Sequence, residues 1–186
     1  SIRLGENRKD DAERVLGNAV VSSLFISVLV TVTGLLFLRP ILLFFGANEE
    51  SFRYAYIYSS ILTGGSLFQS LTFCFNNIIR GEGNPFFALT TTIIGFSVYA
   101  VLAYLFVFVF HSGIGGAAAA IVISQVFTCA WSLSYFRSRR SILRLKSRCL
   151  VPDRAILAKI YSIGIAPFVM QMAGALIIVY INHRLG

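Results

Sequence analysis

Five long uncharged runs of this 186-residue chain carry a few polar side chains: Gln69 in the second run, Ser97 and Tyr99 in the third, Gln125 in the fourth and Gln171 in the fifth. Amide and hydroxyl groups placed inside apolar sequence either hydrogen-bond a neighbouring helix or line a cavity that takes a ligand. Gln69, Tyr99 and Gln171 fall nearest mid-run and are the first choice for substrate contact, with Ser97 and Gln125 beside them. Asn76 and Asn77 are further polar positions, Asn76 standing one helical turn from Arg80 and therefore near the end of its run. The aromatic rings of Phe73, Phe75, Phe96, Phe106 and Trp131 are able to stack on flat cations, or equally to face lipid and neighbouring helices. No run has an acidic residue in its interior, so none offers a group that exchanges charge with a proton gradient.

Other chemistries lack their residues. There is no Gly-x-Ser-x-Gly, no His-Glu-x-x-His and no phosphate-loop pattern, so no catalytic residue is assigned and an enzyme is not expected. His111 and His183 stand apart from Cys, Asp or Glu at ligand spacing, and no metal or cofactor is expected. Three cysteines make no disulfide framework; Cys74 and Cys129 lie within apolar runs and Cys149 outside them, which fits reduced thiols.

The elements that position these groups follow from the charge pattern. The chain is 56% hydrophobic and only 13% charged, with its charges gathered between long apolar runs, and this is the pattern of a polytopic membrane protein. The net charge of +8 does not imply nucleic acid, because the basic residues sit at the ends of apolar runs and form no basic face. Leu16 to Leu38 gives 23 residues without a charge, enough to cross about 30 Å of hydrocarbon at ~1.5 Å per residue. Further spans are expected at Tyr54–Ile79, Phe86–Phe110, Ile114–Phe136 and Ile160–Ile181. Asp10 with Glu13 resembles a capping box, Asn48 is placed to cap the second helix, and Asn84 with Pro85 the third. Gly164 and Pro167 predict a break or bend early in the fifth. Small residues four apart, Gly115 with Ala119 and Gly116 with Ala120, predict close helix packing at the start of the fourth.

Between the fourth and fifth spans, Arg137, Arg139, Arg140, Arg144, Lys146 and Arg148 crowd into a dozen residues with no acid among them. Short loops this basic are retained in the cytoplasm. Placing Arg137–Arg148 inside puts 13 of the 16 basic residues on that side, an asymmetry that supports five alternating spans. Ile142, Leu143, Leu145 and Leu150 among those charges predict a short interfacial helix on the membrane surface. The opening Ser1 and the terminal Gly186, directly after an apolar run, read as the ends of a piece of a longer polypeptide.

Several patches recur together in one known family. They are Leu4-Gly5-Glu6, Phe44-Phe45-Gly46-Ala47, Arg80-Gly81-Glu82-Gly83-Asn84-Pro85, Gly113-Ile114-Gly115-Gly116-Ala117-Ala118 and Ile163-Gly164-Ile165-Ala166-Pro167. In this order and spacing they resemble the multidrug and toxic compound extrusion (MATE) family, in its bacterial branches. The resemblance implies an all-α, twelve-helix, two-lobe membrane transporter. Of it, residues 1–136 supply four helices of the first lobe, 137–154 the cytoplasmic inter-lobe linker, and 155–186 the first helix of the second lobe. It further implies export of small organic cations across the plasma or inner membrane by antiport with Na+ or H+, through alternating access, by a monomer whose other contacts are with lipid. The family's fifth helix often carries an Asn and, four residues later, an Asp before Pro. Here Tyr99 stands at the Asn position and Ala103, followed by Tyr104, at the Asp position. That departure predicts lost or altered coupling through this helix, and it leaves a related flippase for lipid-linked oligosaccharides, or an inactive truncated relative, as alternatives.

Overall fold

The computed structural model describes residues 9–44, 49–138, 141–143, 149 and 151–185, and is helical throughout, without a strand among the described residues. Its elements are α1 (Lys9–Leu36), the short α2 (Leu38–Phe44), α3 (Glu49–Gly81), α4 (Pro85–Tyr104) continued by a π-helical turn (Leu105–Val109), α5 (Gly113–Arg137) and α6 (Arg154–Leu185). Among the described residues, four segments are long and apolar enough to cross a membrane: Asp11–Leu36, Pro85–Val109, Gly113–Arg137 and Arg154–Gly174. Helix α3 is longer than any of these, yet Gln69, Asn76, Asn77 and a series of Ser and Thr residues make it less apolar. The second span, expected at Tyr54–Ile79, is therefore present as a helix and is carried by its neighbours more than by its own hydropathy.

Pairwise contacts fix the direction of each helix. Helix α1 runs antiparallel to α3: the Ser23 and Ser70 hydroxyls lie 3.1 Å apart, those of Thr31 and Ser66 2.9 Å apart, and Gly34 faces Thr63. Helix α5 runs parallel to α3, with Gly115 beside Ile57, Val122 beside Gly65 and Phe136 beside Phe75. Helix α4 is antiparallel to α5 through Phe87–Tyr135, Gly95–Thr128 and Phe106–Gly116. Helix α3 is thus flanked by two apolar helices from Ile57 to Phe75, and so lies at membrane depth alongside them. Between helices in lipid there is little hydrophobic drive, so small residues and hydroxyl pairs of this kind supply the association. At Gly65 an added Cβ would stand 2.6 Å from Val122, and at Gly95 2.8 Å from Thr128. Only glycine lets α5 nest this closely between α3 and α4.

Caps and turns follow local chemistry. The Asn84 side chain accepts a hydrogen bond from the Phe87 amide at 3.3 Å with Pro85 opening α4, and Gly83 takes φ 89° in the preceding turn. Asp153 accepts from the Ala155 amide at 2.9 Å and opens α6. Helix α1 is already helical at Lys9 and Asp10, so Asp10 is not the residue before its first turn. Asn48 lies outside the described residues, as do Leu4-Gly5-Glu6, Phe45-Gly46-Ala47 and most of the stretch from Arg139 to Leu150 that carries the expected interfacial helix. Of the break or bend expected near Gly164 and Pro167, a break is absent: α6 is continuous from Arg154 to Leu185 with Pro167 inside it.

The buried core lies at one end of the bundle. Ala12, Leu16, Phe75, Ile79, Ala88, Tyr135, Phe136 and Leu143 pack where α1 begins, α3 ends, α4 begins and α5 ends. Elsewhere large apolar side chains face outward, among them Phe25, Leu36, Phe86, Phe108 and Met170, as lipid permits.

Candidate functional site

A cavity of about 530 Å³ opens between α3, α4 and α5. Helix α3 contributes Gln69, Thr72, Phe73, Asn76 and Arg80, helix α4 contributes Thr92, Phe96 and Tyr99, and helix α5 contributes Ser124, Gln125 and Thr128. On each helix the positions recur every three or four residues, so each presents one polar stripe. The three stripes converge because Gly65 and Gly95 draw α5 inward on both sides.

The wall is rich in acceptors. The hydroxyls of Thr72, Thr92, Ser124 and Thr128 each donate to a carbonyl of their own helix, to Phe68 at 2.8 Å, Ala88 at 3.1 Å, Ile121 at 2.7 Å and Ser124 at 2.6 Å respectively. Their protons are used and their lone pairs remain. The amide oxygens of Asn76 and Gln125 are buried and meet no donor from the protein. Burying an acceptor without a donor costs about 1–3 kcal/mol. Phe73 and Phe96 add exposed rings (68% and 69% exposed). The ionised side chain among the lining residues is Arg80, in the last turn of α3. A ligand carrying N–H donors and flat apolar surface matches this wall; a proton acceptor is absent from it.

Of the residues singled out from sequence, the cavity gathers Gln69, Tyr99 and Gln125. Ser97 stands outside its wall: two positions from Tyr99 is roughly 200° around a helix of 3.6 residues per turn, and the Ser97 hydroxyl donates to the Ile93 carbonyl at 3.0 Å. Gln171 also stands outside. Helix α6 meets the bundle at its beginning, where Tyr161 lies 2.7 Å from the Ser22 hydroxyl, and Gln171 is an exposed residue far along it. Ala103 does not line the cavity, although Tyr99 one turn before it does. Asn76, placed near the end of its run by sequence, lines the cavity and supplies one of its two orphan acceptors. Among the rings, Phe75 packs on Phe136 in the core, Phe106 on Phe110, and Trp131 stacks on Phe87. Thr72, Thr92, Ser124 and Thr128 were not singled out; their signal is helical spacing, with Thr72 three residues from Gln69, Thr92 seven from Tyr99 and Thr128 three from Gln125, while Ser124 adjoins Gln125.

Comparison with known proteins agrees with this architecture. The MatE family model matches residues 1–105. The chain is 27% identical to the probable multidrug resistance protein YoeA of Bacillus subtilis, over 96% of this chain and 41% of that protein. It is 22% identical to the multidrug export protein MepA of Staphylococcus aureus, over 91% of this chain and 38% of that protein. Among solved structures, a multidrug resistance MATE family transporter of the MOP superfamily in its inward-facing conformation superposes with a TM-score of 0.83 at 28% identity, over 89% of this chain and 38% of that one. A MOP superfamily transporter from Pyrococcus furiosus, whose reversed pocket polarity suggests a different function, superposes with a TM-score of 0.87 at 26% identity, over 94% and 39%. The chain spans about two fifths of the length of the curated relatives it matches. With a family match over more than half its residues and the same bundle of membrane helices, the chain belongs to the MatE family of transporters.

Proposed function

We propose that this chain forms part of a multidrug efflux transporter that moves small organic cations out of the cell by alternating access, driven by an inward Na+ or H+ gradient. The observation that carries the reading is the cavity between α3, α4 and α5, whose wall pairs orphan amide acceptors at Asn76 and Gln125 with exposed rings at Phe73 and Phe96. Acceptors take the N–H groups of an ammonium or guanidinium, and rings take its charge and flat surface. Among the described residues no carboxylate lines the cavity. Arg80 favours a second reading, in which the cargo bears a phosphate, as a lipid-linked oligosaccharide does.

Drug accumulation in intact cells expressing the gene for this protein tests the proposal. Export of an organic cation lowers accumulation until the gradient is collapsed; equal accumulation with and without the gene contradicts it. In this reading the end holding the core and the Arg137 loop is cytoplasmic. A cysteine replacing exposed Ile142, in a variant lacking Cys74, Cys129 and Cys149, then escapes a membrane-impermeant thiol reagent applied to cells.

A further inference from the structure

Two glycines of the bundle stand against polar atoms of α5. A Cβ added at Gly65 on α3 would lie 2.9 Å from Gln125 Oε1 and 2.6 Å from a Val122 methyl, and one added at Gly95 on α4 would lie 2.8 Å from Thr128 Oγ1. Gln125 and Thr128 line the cavity between α3, α4 and α5, whereas Gly65 and Val122 stand outside its wall. The two contacts differ in what can give way. Thr128 is β-branched and its hydroxyl is bound to the Ser124 carbonyl at 2.6 Å, which holds its χ1. Gln125 is unbranched, and its amide oxygen is buried beside Gly65 with no donor among the described residues. No hydrogen bond fixes that oxygen; the missing Cβ of Gly65 supplies the room it occupies. Glycine inside a helix costs about 1 kcal/mol relative to alanine. At Gly64 an added Cβ would meet nothing within 4 Å, so the tight fit belongs to position 65 alone of this glycine pair.

We propose that Gly65 is a positioning residue that acts through Gln125 and sets the largest cation the cavity takes. The Cβ-sized gap in α3 lets the Gln125 carboxamide lie back between α3 and α5, out of the way of a ligand. The inference rests on that cavity being the transport site. A methyl group at position 65 takes the place of the amide oxygen. The carboxamide then turns to its open side, the cavity of about 530 Å³, and narrows it. A single-ring cation still fits beside the displaced amide; a multi-ring cation lying across Phe73 and Phe96 does not.

The test measures binding of a single-ring quaternary ammonium and of a multi-ring cationic dye to the complete purified transporter. Val122→Ala is the reference, because it clears the methyl that an added Cβ would strike and leaves the Gln125 amide as the nearest obstacle. Against that reference, adding Gly65→Ala lowers dye affinity about tenfold, equivalent to ~1.4 kcal/mol, while affinity for the single-ring cation stays within about twofold and reports a folded bundle. In a Gln125→Ala background the same Gly65→Ala change leaves dye affinity where it was, since the group it displaces is gone. The proposal is overturned if Gly65→Ala leaves dye affinity unchanged, if both cations lose affinity equally, or if its effect persists undiminished without the Gln125 amide. The double variant Phe73→Ala, Phe96→Ala separates that failure from failure of the cavity reading. Lost dye binding in this variant keeps the cavity as the site, whereas unchanged dye binding overturns the cavity reading and this inference with it.

Discussion

The Glu82 carboxylate accepts the Ser141 hydroxyl at 2.9 Å and the Leu143 amide at 3.1 Å, tying the turn that follows α3 to the segment that follows α5. Leu143 is thereby set into the buried core with Leu16, Ile79 and Phe136. Hydrogen bonds to a charged acceptor contribute about 1.5–3 kcal/mol. Glu82→Ala should therefore raise hydrogen exchange at the Leu143 amide by at least about tenfold, with little change in α4. Unchanged protection of Leu143 contradicts this role.

Asn18 binds the start of α6 to α1. It is 1% exposed; its amide nitrogen donates to the carbonyls of Arg14 at 2.9 Å and Val151 at 3.3 Å, and its oxygen accepts from the Asp153 amide at 2.7 Å. Asn18→Ala removes the partner of the Val151 carbonyl and of the Asp153 amide, at about 1–3 kcal/mol. The melting temperature in detergent should fall by several degrees, at roughly 2–4 °C per kcal/mol for a chain of this size. An unchanged melting temperature contradicts the anchor.

Gly17 and Gly64 make a matched pair. A Cβ at Gly17 runs into the backbone carbonyl of Cys149, while one at Gly64 meets nothing within 4 Å. Backbone cannot swing aside as a side-chain tip does. Gly17→Ala is expected to destabilise the protein by about 1–3 kcal/mol, and Gly64→Ala to be neutral or slightly stabilising, since alanine is the better helix former. Denaturant titration of the two variants distinguishes them, and equal stabilities contradict the close approach of the linker to α1.

Coupling is the next prediction. With Ala103 one turn beyond Tyr99, Ala103→Asp places a titratable group at the margin of a cavity that has no carboxylate in its wall. Efflux by this variant should become more sensitive to collapse of the proton gradient than efflux by the wild type. If collapse of the proton gradient affects both equally, this helix takes no part in coupling, or the wild-type protein already couples through it by another group.

Helices, turns and candidate cavity residues were legible to different degrees, for physical reasons. Runs without charge announce their helices directly, and Asn84-Pro85 and Asp153 announce their caps because each uses local atoms only. The orientation of a side chain around a lipid-facing helix is not written in hydropathy, since rings and hydroxyls are tolerated on every face. Ser97 was grouped with Tyr99 by proximity in sequence, although helical geometry turns them apart. Gln171 was chosen by depth alone, and only tertiary packing shows that α6 joins the bundle near Tyr161 and not beside the cavity. Pro167 lies inside a continuous α6 although it is exposed and removes one backbone hydrogen bond, a loss that a sequence rule counts as fatal. The Glu82 and Asn18 anchors join positions 59 and 135 residues apart, beyond any local pattern.

Binding of a fluorescent organic cation to the purified transporter tests the central claim most directly. The double variant Asn76→Leu, Gln125→Leu removes both orphan acceptors, whereas Ser97→Ala, Gln171→Ala removes polar groups outside the cavity wall. The first pair is predicted to weaken binding about tenfold or more, as loss of ~1.4 kcal/mol or more of hydrogen bonding requires, with the second pair matching the wild type. Equal affinity for the wild type and the Asn76, Gln125 variant, or a larger loss from the Ser97, Gln171 variant, contradicts a cation site between α3, α4 and α5.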